Sequence, residues 1–213
     1  CAGDELLALA HLEAESRYAP YAVATRAEPT EGGYRLVGEK RWVPFGHVAD
    51  RLVVSARTRG EAGEGEGIEL FVVDAEAVKC TPVRTMDGRK AAMVALDTVI
   101  AADRRLGADE GQGAAALRWA LDDGAAASCA EGYGVMKTAL DMTIEYLKTR
   151  EQFGVKIGTF QALQHRAVDM FVETELCKSM SILAAIKADE AEEAERAHAI
   201  SAAKAQLTVG GKQ

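Results

Sequence analysis

The residues able to do chemistry are few and scattered. Four cysteines (Cys1, Cys80, Cys129, Cys177) and four histidines show no C-x-x-C pair and no metal-ligand spacing. The cysteines therefore read as reduced thiols of a cytoplasmic protein, neither a disulfide frame nor a zinc site. His11 and His165 stand alone, at a strand end and on a helix face, where an imidazole is usually structural. Asp122 and Asp123 are adjacent, but successive side chains on a helix point about 100° apart. That makes them solvated or ligand-proximal carboxylates rather than an acid–base pair. Arg150 stands where a long helical run gives way to Glu151-Gln152-Phe153-Gly154. Its planar cationic fork can close the helix by facing the negative end of the dipole, or pair with a bidentate anion.

Two kinds of chain must position these groups. All four prolines (Pro20, Pro29, Pro44, Pro82) precede residue 83, and 11 of the 20 glycines fall within residues 1–110. Such punctuation predicts many short strands: Glu5–His11, Ala22–Ala27, Tyr34–Gly38 after the Glu31-Gly32-Gly33 turn, Arg51–Ala56, Ile68–Val73 and Ala91–Ile100. Gly60–Gly67 (GEAGEGEG) has no large apolar residue and reads as a mobile solvated loop. The second half is Ala-rich and almost unpunctuated, as long helices require. One helix is predicted over Gly113–Lys148. A second carries Phe160, Leu163, Ala167, Met170, Phe171 and Thr174 at helical spacing, and a third runs from about Ala191 past Leu207. Asp189–Arg196 reads as a solvated loop and helix start. The expected architecture is α+β: an antiparallel β-barrel or sandwich domain (1–108) followed by an antiparallel helical bundle (109–213), completed by other chains.

With 25 Lys+Arg against 33 Asp+Glu, the 213-residue chain carries a net charge of -8. That balance repels nucleic-acid backbones and anionic lipid. No apolar run reaches the roughly 18 residues that a membrane span needs, and the first residues lack a secretion-signal pattern.

One stretch is far more specific than the rest: Tyr146-Leu147-Lys148-Thr149-Arg150-Glu151-Gln152-Phe153-Gly154, then Ile157-Gly158-Thr159-Phe160-Gln161-Ala162-Leu163-Gln164. It resembles the acyl-CoA dehydrogenase family, in which a long helix ends in R-x-Q-F-G and the next opens with F-Q-A-x-Q. Gly33–Gly46 is similar to the family's G-x-x-L-x-G-x-K-x-W segment. Leu106-Gly107 with Glu110-Gly111-Gln112-Gly113 resembles its entry to the helical domain, and Asp169-Met170 its A-D-M.

The resemblance implies FAD as cofactor and α,β-desaturation of an acyl-CoA thioester, a carboxylate taking the α-proton and the flavin the β-hydride. It implies that Arg150 meets the FAD pyrophosphate of a neighbouring subunit and that Phe153 and Gln161 lie near the adenine and the diphosphate. Phe153 reads equally as a core aromatic anchoring the loop. Trp42 matches the tryptophan beside the flavin ring. Two residues on, the usual Thr is Pro44, which has no donor. In the flavin loop Ser16 keeps the family serine, while the flavin-contacting Thr is Ala10. The base that some members carry on the first long helix falls at Gly124, and the arginine after it is Ala125. Arg17 and Tyr18 are candidates for CoA contact or a turn cap.

The resemblance also implies a fragment, lacking an N-terminal helical domain and a C-terminal end that would hold any base. These substitutions are similar to the smaller chain of two-gene bacterial acyl-CoA dehydrogenases. Two readings remain open. The chain is an FAD-dependent acyl-CoA dehydrogenase or a subunit of one; or it is a non-catalytic partner that builds the oligomer and completes a flavin site in trans. The partners implied are acyl-CoA, a homologous chain or a second copy, and an electron-transfer flavoprotein.

Overall fold

The computed structural model describes residues 3–16, 19–190 and 192–212. Contacts divide the chain into two compact units, one ending at Arg118 and the other starting at Trp119.

The first unit is one seven-stranded sheet. Its strands are β1 (Leu7–Ala10), β2 (Arg26–Thr30), β3 (Gly33–Pro44), β4 (Arg51–Arg57), β5 (Ile68–Asp74), β6 (Lys79–Arg84) and β7 (Lys90–Ala101). The order is β1-β4-β2-β3-β7-β6, with β5 on the other edge of β4. The antiparallel expectation is corrected in part, because the sheet is mixed. β1 runs parallel to β4 in the register Leu7↔Arg51 to Ala10↔Val54, and β2 meets β4 in parallel at Arg26↔Arg57. Alternating side chains of Leu36, Leu52, Val54, Phe71, Val73, Val94 and Leu96 form the core of this sheet.

Three local expectations change. Residues 22–25 are not strand; β2 starts at Arg26. β6 adds a strand to those expected, and it contains Pro82. Proline is tolerated there because β6 pairs only with β7 and lies at the edge. The glycine-rich stretch is a loop, mostly exposed as expected, but it is tethered. Arg57, 1% exposed, spends all five guanidinium donors on backbone carbonyls: Nε on Val23, Nη1 on Arg59 and Glu66, Nη2 on Tyr21 and Glu64. One buried cation thus ties residues 59–66 to residues 21–23.

Three helices follow: α1 (Gln112–Thr149), α2 (Gln161–Ala188) and α3 (Glu193–Gly210). Glu69 in β5 accepts from Gly111 N just ahead of α1, and a Cβ at Gly113 would lie 2.5 Å from the Glu69 Cα, so only glycine permits that approach. In the second unit Ala126 and Cys129 of α1 pack with Ala184 of α2 and with Ile200 and Ala203 of α3. Small residues at this seam let the helices approach closely. Among the described residues no helix is long and apolar enough to cross a membrane.

Asp122 is not a solvated carboxylate. It is buried against Arg196 of α3, with Nε at 3.1 Å from Oδ2. The Arg196 guanidinium lies 4.3 Å over the Trp119 ring and donates to the Glu190 carbonyl. The acidic run therefore ends in a buried arginine, and Glu192 caps α3 by accepting from Ala194 N and Glu195 N. Removing one partner of a buried pair strands the other charge. We expect Asp122→Ala to lower stability by about 3–5 kcal/mol in urea unfolding followed by circular dichroism, and Arg196→Met added to it to recover most of the loss.

Candidate functional site

The sequence-selected residues fall at two places, one in each unit. In the helical unit they surround the end of α1. Between α1 and α2 the chain forms a two-strand hairpin, β8 (Glu151–Gln152) and β9 (Val155–Lys156), then a 3-10 turn over Ile157–Thr159. Phe153 and Gly154 form its tip, both with positive φ (56° and 79°), the geometry of a two-residue type I′ turn. A phenylalanine held there is strained. Its side chain is nonetheless 90% exposed, with an edge-on contact to Phe160 at 6.2 Å between ring centroids. The core-anchor reading of Phe153 is thereby excluded for this chain alone.

Arg150 follows the last residue of α1. Its backbone carbonyl accepts from Ile157 N at 2.9 Å, which seats the hairpin close to the start of α2. Its guanidinium is exposed and makes no hydrogen bond or ion pair among the described residues. The capping work is done by others. Lys156 Nζ donates to the Thr149 carbonyl at 3.1 Å, and Lys156 also pairs with Glu151 at 2.7 Å. Gln161 is the first residue of α2, exposed, and the N-cap position Phe160 offers no side-chain cap. An unpaired guanidinium and an uncapped helix start thus lie at the two ends of one short hairpin. Free N–H groups and the positive dipole end favour an anion there.

In the sheet unit, the residues gather around an irregularity in β3. The β3–β7 ladder is interrupted between Lys40 and Val43, and Arg41 N donates instead to the Leu12 carbonyl at 2.7 Å. Trp42 has φ 53° and is 51% exposed; Phe45 has φ 58° and is also exposed. Left-handed backbone at a large aromatic residue costs on the order of 1–3 kcal/mol and concentrates at working sites. Pro44 closes the strand and is exposed. Ala10 closes β1 with its methyl group fully buried in the core. Ser16 is buried, and its hydroxyl both accepts from Glu13 N and donates to the Glu13 carbonyl, closing the 13–16 turn on itself. Arg17 and Tyr18 lie outside the described residues.

Sequence reasoning missed the buried polar cluster behind Trp42. Lys40 Nζ, fully enclosed, donates to Glu13 Oε1 at 2.6 Å, to Ser55 Oγ at 3.1 Å and to the His11 carbonyl at 3.3 Å. Burial pulls its pKa down from 10.5 to about 8 against the opposing charge of Glu13. Burial alone would raise the Glu13 carboxyl. The Lys40 charge and the hydrogen bonds from Lys40, Thr25 and Ala24 hold it below its usual range. Burial, then the Lys40 charge, lowers His11 from 6.5 to about 4, so the imidazole is neutral at pH 7 and shares a 3.0 Å hydrogen bond with Ser55. The signal available in the sequence was alternation: Lys40 falls in step with Leu36 on the buried face of β3, two residues before the tryptophan.

Residues 111–209 match the family described as the acyl-CoA dehydrogenase C-terminal domain. Over 88% of its length the chain is 31% identical to the mitochondrial 2-methylacyl-CoA dehydrogenase of Solanum tuberosum, covering 46% of that protein. A solved structure of a variant of the Tcur3481-Tcur3483 steroid ACAD is 34% identical, with a TM-score of 0.79 over 96% of this chain and 53% of that one. PigA with FAD and proline is 27% identical, with a TM-score of 0.82 over 97% of this chain and 56% of that one. The chain belongs with the acyl-CoA dehydrogenase family. It spans about half the length of the curated relatives it matches.

The acid limb of stability follows from His11. Its folded pKa lies below the unfolded one, so the unfolded chain binds the extra proton between about pH 6.5 and 4. The contribution is complete above pH 6.5 and is lost as pH falls toward 4, by about 3 kcal/mol. We expect urea unfolding at a series of pH values to show this slope in the native chain and a clearly shallower one in His11→Asn.

Proposed function

We propose that this chain is part of an FAD-dependent acyl-CoA dehydrogenase, in which its helical unit holds the FAD pyrophosphate of a neighbouring subunit through Arg150. The observation that carries this reading is the division of labour at the end of α1: Lys156 satisfies the helix carbonyl, and the Arg150 fork is left exposed and unpaired. Two parallel N–H groups suit paired phosphate oxygens, and the uncapped start of α2 at Gln161 adds free backbone donors to the same anion. The strained, exposed ring of Phe153 suits stacking on the adenine. In the sheet unit, the half-exposed indole of Trp42 suits a second flat ring, the flavin, from which it excludes water.

Bound FAD supplies the hydride acceptor for α,β-desaturation of an acyl-CoA thioester. The protein's part is to position the dinucleotide and keep its phosphates neutralised. Abstraction of the α-proton needs a carboxylate. Position 124, where some family members place it, is a glycine with nothing within 4 Å of a would-be Cβ; Asp122, two residues before it, is committed to Arg196, and its neighbour Asp123 is exposed, about 100° round the helix. The base therefore comes from elsewhere. Acyl-CoA is the proposed substrate and an electron-transfer flavoprotein the proposed acceptor. The free thiols Cys80, Cys129 and Cys177 suit the reducing conditions of the cytoplasm, the proposed location.

A second reading, a partner chain that completes a flavin site in trans, is favoured by the sheet unit. Pro44 has no N–H, Ala10 has no hydroxyl, and the Ser16 hydroxyl is spent on its own turn. The helical unit supports assembly with a homologous chain or a second copy: Val168, Phe171, Val172, Leu176, Ile182 and Ile186 leave an exposed apolar face along α2.

Purification with and without a co-expressed homologous chain separates the readings. Stoichiometric yellow protein from this chain alone would eliminate the second. In the flavin-loaded assembly, Arg150→Ala is expected to weaken FAD binding about 10- to 100-fold by equilibrium dialysis, with an unchanged thermal transition. Unaltered affinity would remove the role given to Arg150.

A further inference from the structure

We propose that Lys40 is a positioning residue: together with Glu13 it clamps the 11–25 segment onto the β3 bulge and so fixes the Trp42 indole at the flavin face. The clamp stands on its own geometry; the flavin face rests on the proposed function.

The bulge takes Arg41 and Trp42 out of the β3–β7 ladder, so something else must hold their backbone. The replacement is the 11–13 segment, through the bond from Arg41 N to the Leu12 carbonyl. Lys40 grips that same segment on both sides of Leu12, at the His11 carbonyl and at the Glu13 carboxylate. With Ser55 as third acceptor, its three ammonium protons are all placed. Glu13 carries the grip onward. Its Oε1 accepts from Thr25 N and Thr25 Oγ1, and its Oε2 accepts from Ala24 N.

Close contact is built in on the strand side too. A Cβ at Gly38 would lie 2.6 Å from Thr25 Oγ1, so glycine is what lets residue 25 approach β3. From the opposite side Arg57 holds the carbonyls of Tyr21 and Val23. Residues 21–25 have no ladder of their own, and buried charges supply donors and acceptors instead. Without the Lys40 ammonium, Glu13 is left as an uncompensated buried carboxylate, and the acceptor of the Arg41 bond loses its support. The left-handed turn at Trp42 then has nothing to offset its strain.

The charged and titratable groups around Lys40 are His11 and Glu13 on the clamped segment, its strand neighbours Glu39 and Arg41, Lys79 on β6, and Arg57 beyond Ser55 on β4. Val94, opposite it on β7, carries no charge. Glu13 and His11 titrate well below neutrality. A change of the Trp42 environment centred near pH 8 therefore belongs to Lys40.

The test uses the full chain carrying Trp119→Phe, which leaves Trp42 as the sole indole. Its emission and acrylamide quenching are followed against pH, in Lys40→Met and, should that variant not fold, in Glu13→Gln, which keeps the volume and removes the charge. We expect the parent emission to titrate near pH 8. In Lys40→Met it should be shifted to the red, more readily quenched and without that titration; in Glu13→Gln it should be shifted to the red and more readily quenched, with the titration moved below pH 8, because the Glu13 charge is what raises Lys40 against its burial. Far-UV helix melting is unchanged in both. Emission and quenching identical to the parent, or a transition near pH 8 that survives Lys40→Met, would overturn the clamp. FAD titration of the same proteins separates the two layers. A displaced Trp42 in variants of a parent that binds no FAD upholds the clamp and sinks the flavin reading. An undisplaced Trp42 sinks the clamp whatever the flavin does.

Discussion

A charge moved out of water loses several kcal/mol of solvation, and it stays charged inside a protein only where other groups replace that water. Three such charges organise this chain. Lys40 gathers Glu13, Ser55 and the His11 carbonyl. Arg57 gathers five carbonyls from two irregular segments. Arg196 joins α3 to Asp122 of α1 and covers Trp119. In each case the buried side chain fixes backbone that no regular ladder could hold. The same feature makes these positions intolerant, because deleting one partner leaves the other stranded.

Where the buried charges end, exposed strain begins. The non-glycine residues with positive φ among those described are Trp42, Phe45 and Phe153, all aromatic and all substantially exposed. Burying an aromatic ring is favourable and a left-handed aromatic is unfavourable. Residues that violate both preferences are best explained by something else that covers them. Flat rings of a dinucleotide cofactor meet that requirement, and so does the surface of another chain. Arg150 follows the same logic in charge instead of area, since the capping task that would occupy it is carried out by Lys156.

Much of the secondary structure was readable from the residues. The strands at Arg51–Arg57 and Ile68–Asp74 and the helices at Gln112–Thr149 and Gln161–Ala188 follow from period and punctuation. What misled was residue type taken one position at a time. Pro82 was read only as punctuation between strands, and it lies inside one, at an edge. Gly60–Gly67 argued for a free loop, but a cation in the neighbouring strand binds its carbonyls. Asp122 looked like surface because its partner lies 74 positions away. Polar residues in these places announce nothing by spacing, since their partners are set by tertiary proximity.

By itself the sequence determined the mixed α+β composition, the two kinds of chain and the family kinship, because periodicity and short motifs are local properties that survive without coordinates. Only the tertiary structure decided that the sheet is mixed, that Ser16 and Asp122 are already occupied, and that Arg150 and Phe153 are not. Occupancy depends on which groups long-range folding brings within about 3 Å of one another, and strand direction on how distant segments pair. Neither is written in the order of residues along the chain.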